Sequence, residues 1–359
     1  MCPLVLELKK RDGIQCVVCL TGQHREMLWQ VMEVFQVREN YNLDIMEQGQ
    51  SLSSITTKVL QGFGEILERE WPDLVLVHGD TTTSFAAALA AFYRQIPVGH
   101  VEAGLRTYNL YAPFPEEFNR QSVDMVSSVY FAPTRKAEEN LLSEGKRAGD
   151  IYVTGNTVID ALRHTVNRNY EDENLNWAGD GRMLLLTSHR RENIGEPMKN
   201  IFRAVRRAVE ETPDVRVVFP VHKNPEIRET AEKYLSGTDR IRMIEPLDVV
   251  AFHNYMAKSF LILTDSGGIQ EEAPSLGVPV LILRNVTERP EGVEAGVLKL
   301  AGTEEADVYG ILMRMLQGGE EYRRMSRSVN PYGDGRASER IANIIVNREW
   351  RGRQCRKYQ

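Results

Sequence analysis

A chain of 359 residues is longer than a single hydrophobic core normally supports, so its length predicts two domains. A formal net charge of −6 argues against a nucleic-acid-binding protein, whose surface would be basic. The sequence contains no apolar run of the roughly 18 to 20 residues that a membrane span needs, and its first residues lack the pattern of a secretory signal, so we expect no membrane partner.

The sequence opens with PLVLELKK, in which leucines followed by lysines predict a helix. Short runs rich in valine, isoleucine and leucine then recur, each followed by a turn and a helical pattern. The first set comprises IQCVVCL, DLVLVHG, IPVGHVEAG, SSVYFAPT and DIYVTGN, and the second comprises MLLLTSH, VRVVFPVH, IRMIEP, FLILTDSGG and VPVLILR. Continuous apolar strands that alternate with helices are typical of parallel sheets covered on both faces.

Residues 165–182 separate the two sets of strands, and they are polar and without a hydrophobic period. They are therefore the predicted linker. We predict an α/β protein of two doubly wound Rossmann-like domains with an interdomain cleft. The first domain comprises residues 1–164, and the second comprises residues 183–336.

The four cysteines include a C-x-x-C pair, Cys16 and Cys19, inside the apolar run IQCVVCL. No second pair and no clustered histidine completes a metal site. The pattern favours buried thiols of a strand over metal or redox chemistry. We therefore expect no metal and a reducing, cytoplasmic environment.

Polar residues that are unusual for a sheet follow the predicted strands. Ligands of parallel α/β sheets bind at the carboxyl ends of the strands, so we expect these residues to line a crevice for a polar, anionic ligand. They are His78, Asp80, Glu102, Thr154, Gly155, Asn156, His189, His222, Asp265 and Ser266.

Three carboxylates are candidates for chemistry: Asp80 and Glu102 follow predicted strands, and Glu116 follows Pro115 in the first turn of a predicted helix. Capping of a helix is an alternative role for Asp80, and an i,i+4 pair with Arg120 is an alternative for Glu116, whereas capping explains little of Glu102. Gathered in one cleft, the carboxylates would repel, so at least one should hold a proton near neutral pH. Such a set could remove and deliver protons, and pairing with Arg106 and Arg120 is the structural alternative.

The segment LTDSGGIQEEAPSLGVPVLIL predicts a strand, a glycine turn and a helix, whose N-terminal N–H groups form an anion site. A tight turn would explain the glycines alone, but Glu272 one turn later suits a ribose diol and favours nucleotide binding. Arg284 and Arg289 supply guanidinium groups that suit a diphosphate. In LLTSHRRENIG, His189 and Arg190 lie just after a strand, where either an anion or solvent would compensate their charge.

Together these motifs resemble one family, the non-hydrolysing UDP-N-acetylglucosamine 2-epimerases. The matching stretches follow the family's order from Thr21 to Gly335, which makes the resemblance specific although each stretch alone is weak. They are TGQHREML, VHGDTTTS, GHVEAGLRT, PEEFNRQSVD, VTGNTVIDAL, HRREN, PVHKNP, LTDSGGIQEEAPSLGVPVL, TERPEGVEAG and NPYGDG.

The resemblance implies a GT-B arrangement with UDP held between the domains and a last helix, within residues 337–359, that returns to the first domain. It also implies reversible epimerisation at C2, from UDP-N-acetylglucosamine to UDP-N-acetylmannosamine. The expected route is anti elimination of UDP, giving 2-acetamidoglucal, followed by re-addition. We expect no cofactor and no metal, a homodimer, and a role in making precursors of cell-surface polysaccharide.

The resemblance also assigns residues to roles. Asp80, Glu102 and Glu116 match the catalytic carboxylates, and His189 matches the histidine that assists departure of the diphosphate. The positions expected to bind substrate or UDP are Arg120, Phe252, Ser266, Gly267, Gly268, Glu272 and Arg289. Bacterial members bind a second UDP-N-acetylglucosamine as an activator, at positions that correspond here to Gln23, Gln50, Arg190 and His222.

One family motif, an opening strand with a GTRPEAIK turn, has no counterpart in this sequence, which begins just after its position. That difference predicts either a start codon assigned too far downstream or a chain without activity. The alternatives are a GT-B glycosyltransferase, a hydrolysing epimerase and a non-catalytic module that binds a UDP-sugar. The set HGDTTTS, VEAGLR and PEE favours the epimerase over the glycosyltransferase.

Overall fold

The computed structural model of the protein describes residues 1–22, 25–47 and 49–347, with the backbone alone for residues 25–27. The chain divides into two compact units, one of residues 1–164 together with the segment from Tyr332 onward, and one of residues 165–331. Within the described ranges, none of the helices has the length and apolar character needed to cross a membrane.

The first unit alternates helices with short parallel strands. Its elements before the boundary are α1 (Cys2–Lys9), β1 (Cys19–Leu20), α2 (Arg25–Val34), β2 (Tyr41–Asn42), α3 (Leu52–Glu70), β3 (Val75–His78), α4 (Thr82–Tyr93), β4 (Val98–Val101), α5 (Glu116–Val126), β5 (Val129–Ala132), α6 (Arg135–Ser143), β6 (Ile151–Val153) and α7 (Thr157–Thr165). Strands β1 and β2 form a pair, and β3, β4, β5 and β6 form a second sheet in that order.

The register of the larger sheet determines where its polar residues emerge. His78, the last residue of β3, lies opposite Val101, the last residue of β4. Asp80 and Glu102 therefore leave the sheet at the same edge, from neighbouring strands. The strands themselves are apolar and largely buried because helices cover the sheet.

The second unit is built around one parallel sheet. Its elements are α8 (Glu173–Ala178), β7 (Arg182–Thr187), α9 (Glu196–Glu211), β8 (Val215–Pro220), α10 (Pro225–Leu235), β9 (Ile241–Ile244), α11 (Val249–Lys258), β10 (Leu261–Thr264), α12 (Gly267–Glu272), β11 (Val280–Ile282), α13 (Pro290–Glu294), β12 (Leu298–Leu300), α14 (Glu305–Leu316) and α15 (Glu320–Arg327). The strand order is β12-β11-β10-β7-β8-β9, so the winding reverses between β7 and β10.

Helix α9 illustrates how the second unit is held together. Met198, Ile201, Phe202, Val205 and Val209 recur at helical spacing and are buried, while arginines and glutamates occupy the opposite face. Full burial of one such side chain contributes roughly 1.5 to 3 kcal/mol to folding. This stripe therefore fixes α9 on the sheet.

The segment predicted as a linker, residues 165–182, is instead part of the second unit. It contains α8, whose N-terminus is capped by the Asp172 side chain. The Tyr255 hydroxyl also donates to Asp172, and the guanidinium of Arg242 lies 4.7 Å from the centre of the Trp177 ring. The polar residues of this segment look like a linker because they serve as caps and cation–π partners, which leave no hydrophobic period.

The end of the predicted second domain, residues 332–336, lies in the first unit. The N–H of Asn156 donates to the Tyr332 carbonyl at 2.7 Å, and Gly333 packs against Gly155. Helix α16 (Ala337–Val346) follows, with Asp160 accepting from the N–H groups at its start. The remainder of the predicted C-terminal helix, residues 348–359, lies outside the described residues.

Each predicted run of apolar residues contains a strand, and the helix predicted from PLVLELKK is α1. Strands β2 and β12 escape prediction because each has only two or three residues. Burial raises the pKa of Cys16, and it raises the pKa of Cys19 to about 11, which fits the prediction of inert thiols. Cys355 lies outside the described residues.

Helix α16 is attached through apolar contacts. Ile341 is fully buried with Leu4 and Leu8 of α1. We expect Ile341→Ala to lower the free energy of unfolding by about 2 to 5 kcal/mol, because the cavity would open between two helices. Urea denaturation measures this change. Val346→Ala, at a position 40% exposed in the same helix, is the control and should lower the free energy of unfolding much less. Equal losses in the two variants would contradict the packing of Ile341 against α1.

Candidate active site

Asp80 does not act as a helix cap. The N-cap of α4 is Thr81, whose side chain accepts from the Ser84 N–H at 3.1 Å. The Asp80 carboxylate instead accepts from the Arg120 guanidinium at 2.5 Å, and Asn119 donates to the Asp80 carbonyl at 2.9 Å. Helix α5 therefore holds Asp80 at the end of β3.

Glu102 leaves β4 in an unusual backbone conformation. Its φ of +71° lies in the left-handed region, which non-glycine residues seldom occupy. Its carboxylate accepts from the Asn156 amide at 2.8 Å, and the other oxygen lies against Gly79, where an added Cβ would be only 2.8 Å away. Asn156 was noticed at a strand end in the sequence but received no role there.

Glu116 and its neighbour Glu117 have different environments. Glu117 is fully buried and accepts from the N–H groups of Thr107 and Tyr108, each at 3.0 Å. The alternative in which Glu116 pairs with Arg120 is wrong, because among the described residues the ion pairs of Arg120 are with Asp80 and Glu117, whereas the alternative pairing of Asp80 with Arg120 is observed. Glu116 is half-buried at the start of α5.

Arg106, the other arginine considered as a partner of these carboxylates, belongs to a buried network. His100 Nδ1 lies 2.6 Å from Asp124, and the second Asp124 oxygen accepts from Arg106 at 2.7 Å and from the Gly104 N–H at 3.2 Å. Burial opposes ionisation of Asp124, but the charges of His100 and Arg106 outweigh it and hold the pKa of Asp124 below its ordinary value. The network ties α5 to the loop after β4.

We expect Asp124→Asn to lower the free energy of unfolding at pH 7 by about 3 to 5 kcal/mol, because Arg106 loses its buried counter-charge and keeps, among the described residues, only the partly exposed Glu144, 2.7 Å away. A depressed pKa stabilises the fold above the ordinary value of 3.8, and this contribution disappears as the pH falls through the lower folded value. The difference in free energy of unfolding between wild type and Asp124→Asn should therefore become smaller below pH 3.8.

Urea denaturation between pH 7 and pH 3 measures both effects. Glu138→Gln, which alters an exposed ion pair with Arg135, is the matched control and should change stability by less than about 1 kcal/mol. A pH-independent gap for Asp124→Asn would contradict the assignment of an ionised, buried Asp124.

In the second unit, polar residues converge where the strand order reverses. Thr187 of β7 lies opposite Thr264 of β10, and their hydroxyl groups are 2.6 Å apart. The chain then continues into Ser188 and His189 on one side and Asp265 and Ser266 on the other. In sheets of this order, that edge is where ligands bind.

Asp265 organises the loop after β7. Its carboxylate is fully buried and accepts from the N–H groups of His189 and Arg190, from the Ser188 hydroxyl and from the Asn193 amide, at 2.9 to 3.2 Å. His189 Nδ1 also lies 3.2 Å from it. The sequence reading placed Asp265 at a strand end but assigned it no role, since its donors come from a distant segment.

A pocket of about 200 Å³ opens at this edge. It brings together four predicted residues, His189, His222, Phe252 and Ser266. The remaining lining residues, which the sequence reading assigned to no ligand, are Thr187, Ser188, Pro220, Pro246, Leu247 and Ile269. One part of the pocket is thus apolar and the other carries hydroxyl and imidazole groups, as a ligand with a flat ring and polar substituents would require.

The two histidines of the pocket stack, with ring centres 6.0 Å apart. Partial burial lowers the pKa of His189; Asp265 opposes this effect, and Arg190 and His222 add to it. His189 is therefore a neutral hydrogen-bonding group near pH 7 in the unliganded protein. An anionic ligand would raise its pKa again.

The predicted Ser266 is the N-cap of α12, and the predicted Gly267 and Gly268 are its first two residues. A Cβ at Gly267 would lie 2.5 Å from the Arg289 guanidinium, so a larger residue there would displace that side chain. Arg289 is paired with Glu271, at 2.6 Å, and with Glu288, at 2.8 Å.

Two further predicted groups flank this turn. Glu272 has its carboxylate 3.7 Å from the His253 ring and stays partly exposed. Arg284 is occupied by ion pairs with Glu192 and Glu288, each at 2.6 Å.

The residues predicted for an activator site fall in different places. Arg190 and His222 lie in the second unit, where Arg190 contacts Asp265 and Glu288. Gln50 lies in the first unit, and its side-chain oxygen is buried with no hydrogen-bond partner among the described residues. Gln23 lies outside the described residues. Among the described residues, no group of three His, Cys, Asp or Glu side chains is placed to hold a metal ion.

The reversed strand order and the pocket at the start of α12 define the second unit as a doubly wound domain of the Rossmann class. A family model described as UDP-N-acetylglucosamine 2-epimerase matches residues 6–346. A Bacillus subtilis protein of that name is 57% identical over 346 residues, 96% of this chain and 91% of its own length. The chain belongs to the UDP-N-acetylglucosamine 2-epimerase family.

Solved structures agree with this assignment. A co-structure of S. aureus MnaA with UDP shares 50% identity and a TM-score of 0.89, covering 97% of this chain and 92% of that one. A Neisseria meningitidis UDP-GlcNAc 2-epimerase bound to UDP-GlcNAc shares 46% identity and a TM-score of 0.88, covering 97% and 96%. The predicted family and the predicted GT-B fold class are confirmed.

Proposed function

We propose that this protein reversibly converts UDP-N-acetylglucosamine to UDP-N-acetylmannosamine by inverting the configuration at C2. The observation that supports the proposal most is that a member of this family has two features, candidate proton-transfer groups and a pocket that suits a nucleotide. The first unit presents Asp80 and Glu102 at neighbouring strand ends, and the second unit has a pocket suited to a nucleotide. Relatives solved with UDP and with UDP-GlcNAc support the same ligand here.

The reaction needs a proton to leave one face of C2 and another to arrive on the opposite face. In the forward step a carboxylate takes the C2 proton, the electron pair forms the C1–C2 double bond, and the C1–oxygen bond breaks to release UDP. The intermediate is 2-acetamidoglucal. UDP then adds back to C1 while C2 receives a proton from the other side, so atoms and charge balance with no cofactor.

Asp80, Glu102 and Glu116 are the groups that we assign to these proton transfers. Each lies at or just after the carboxyl end of the larger sheet of the first unit. The Asp80 carboxylate accepts from the Arg120 guanidinium at 2.5 Å, and this contact fixes its orientation. We place Arg120 as the residue that orients Asp80 and contacts substrate, because its Nε is buried without a partner among the described residues.

The second unit binds UDP in this proposal. The apolar part of the pocket, with Phe252, holds the uracil. The N–H groups of Gly267 and Gly268 and the Ser266 hydroxyl face the diphosphate, because the Ser266 N–H already donates to Thr264. Glu272 accepts from the ribose hydroxyls, and Arg289 contacts the nucleotide. His189 donates to the departing diphosphate, whose charge raises the pKa of the imidazole as the C1–oxygen bond breaks.

Further parts of the proposal come from the family resemblance. Gln23, Gln50, Arg190 and His222 would bind a second UDP-N-acetylglucosamine as activator. The protein would act as a cytoplasmic homodimer, and its product would serve cell-surface polysaccharide synthesis.

We expect Glu272→Gln to weaken UDP binding by roughly tenfold, because a charge-assisted hydrogen bond to ribose is worth about 1.5 to 3 kcal/mol and the amide keeps part of it. Isothermal titration with UDP measures the change. Glu294→Gln, an exposed residue at the end of α13, is the control and should bind as wild type does. Unchanged affinity for Glu272→Gln would refute the ribose assignment.

Proton NMR of UDP-N-acetylglucosamine incubated with the protein in D2O tests the reaction itself. We expect a UDP-N-acetylmannosamine signal with deuterium at C2. Glu102→Gln should lower the rate by about 10² to 10⁴, the range for loss of a general acid or base. Glu138→Gln should be as active as wild type.

The other outcomes of this assay identify the alternatives. Free N-acetylmannosamine would indicate a hydrolysing enzyme, and release of UDP only with an added acceptor would indicate a glycosyltransferase. Tight UDP binding with an unchanged spectrum would indicate a non-catalytic module and would overturn the proposed function.

A further inference from the structure

The side chain of Asn156 is locked in one orientation at the end of β6. It is 3% exposed, and its backbone N–H donates to the Tyr332 carbonyl at 2.7 Å. Its side-chain oxygen accepts from the Val158 N–H at 3.1 Å, in the first turn of α7. Because the oxygen is engaged by an N–H donor, the amide cannot be flipped, and its NH2 group must point the other way.

The NH2 group of Asn156 donates to the carboxylate of Glu102 at 2.8 Å. The two residues are far apart in sequence and meet only because β4, β5 and β6 are consecutive strands of one sheet. A neutral donor at this distance favours the ionised form of a carboxylate and restricts its rotation. The other oxygen lies against Gly79, so the carboxylate is confined from two sides.

The ionisable groups near Glu102 include His78 of β3. Burial is the main cause that lowers the pKa of His78 to about 3, and His100 adds to it, so His78 is neutral. Asn156 is the uncharged donor within this set.

We propose that Asn156 is a positioning residue for Glu102, which holds the carboxylate in a single orientation and keeps it ionised for proton transfer at C2. The role of Glu102 rests on the proposed function. The control of its protonation by Asn156 is a property of the unliganded protein and can be measured without turnover. Asn156 itself touches no reacting atom in this proposal.

Asn156→Asp is the sharpest test. Aspartate is nearly isosteric and caps a helix as well as asparagine, so the bond from the Val158 N–H is retained. The donor to Glu102 is replaced by a negative charge, which should raise the pKa of Glu102 by about one unit or more. Asn156→Ser keeps a capping oxygen and adds no charge, so it should raise that pKa by a smaller amount.

The first measurement is a 13C NMR titration of carboxyl-labelled protein, with the Glu102 signal assigned by its loss in Glu102→Gln. An upward shift of the Glu102 midpoint in Asn156→Asp, larger than in Asn156→Ser, supports the proposal. A Glu102 midpoint equal to wild type in both variants overturns it. If the melting temperature of one variant is more than a few degrees below that of wild type, the Glu102 midpoint of the other variant alone decides: a raised midpoint supports the proposal and an unchanged one overturns it.

The second measurement is the pH profile of epimerisation. A raised Glu102 pKa reduces the ionised fraction at a given pH, so the acidic limb of kcat/KM should move upward by about one pH unit in Asn156→Asp. At pH 7, where Glu102 stays ionised in both proteins, loss of the donor that orients it should lower kcat severalfold with KM within twofold of wild type. If the role of Asn156 is purely structural, its variants lose stability but the acidic limb of their pH profile stays where it is in wild type; that result would overturn the proposal.

A wild-type protein without epimerase activity would contradict the proposed function. The NMR titration would still decide the role of Asn156.

Discussion

A buried carboxylate that collects donors from loops is the interaction on which each unit of this protein depends. In the first unit, Asp124 binds His100, the Gly104 N–H and Arg106, and so ties α5 to the segment that carries Glu102. In the second unit, Asp265 does the same for the loop that carries His189. Loops at strand ends have few apolar contacts of their own, so charge-assisted hydrogen bonds to a buried anion replace a hydrophobic core there.

The same constraint explains why the cations of the candidate site are already paired. Arg120 binds Asp80, and Arg289 binds Glu271 and Glu288. Burying an unpaired guanidinium costs free energy, and an exposed one has no fixed orientation. A guanidinium paired with a carboxylate keeps one orientation in which a ligand can reach it. An anion that binds at either arginine must therefore displace or share a carboxylate partner.

Local sequence patterns located the catalytic candidates but misjudged some of their partners. Asp80 resembled a helix cap because threonines follow it, yet Thr81 takes that role and leaves Asp80 to Arg120. The sequence left Arg120 a choice between Glu116 one turn away and the other carboxylates, and the structure pairs it with Asp80 and Glu117. Spacing along a helix gives the set of neighbours that are within reach; it does not say which of them points into the core, because that depends on the strands and loops packed against the helix.

The sequence by itself determined the α/β class, the apolar strands, the glycines at the start of α12 and the family. Each of these depends on hydrophobic spacing, turn residues or motifs formed by residues that are close together in the chain. It did not determine that residues 165–182 belong to the second unit, that residues 332–336 return to the first, or that Asn156 meets Glu102 and Asp265 meets His189. Those contacts join residues brought together by sheet order and by buried hydrogen bonds. Only the tertiary structure decides them, because a donor finds its acceptor across strands whose separation in sequence carries no local signal.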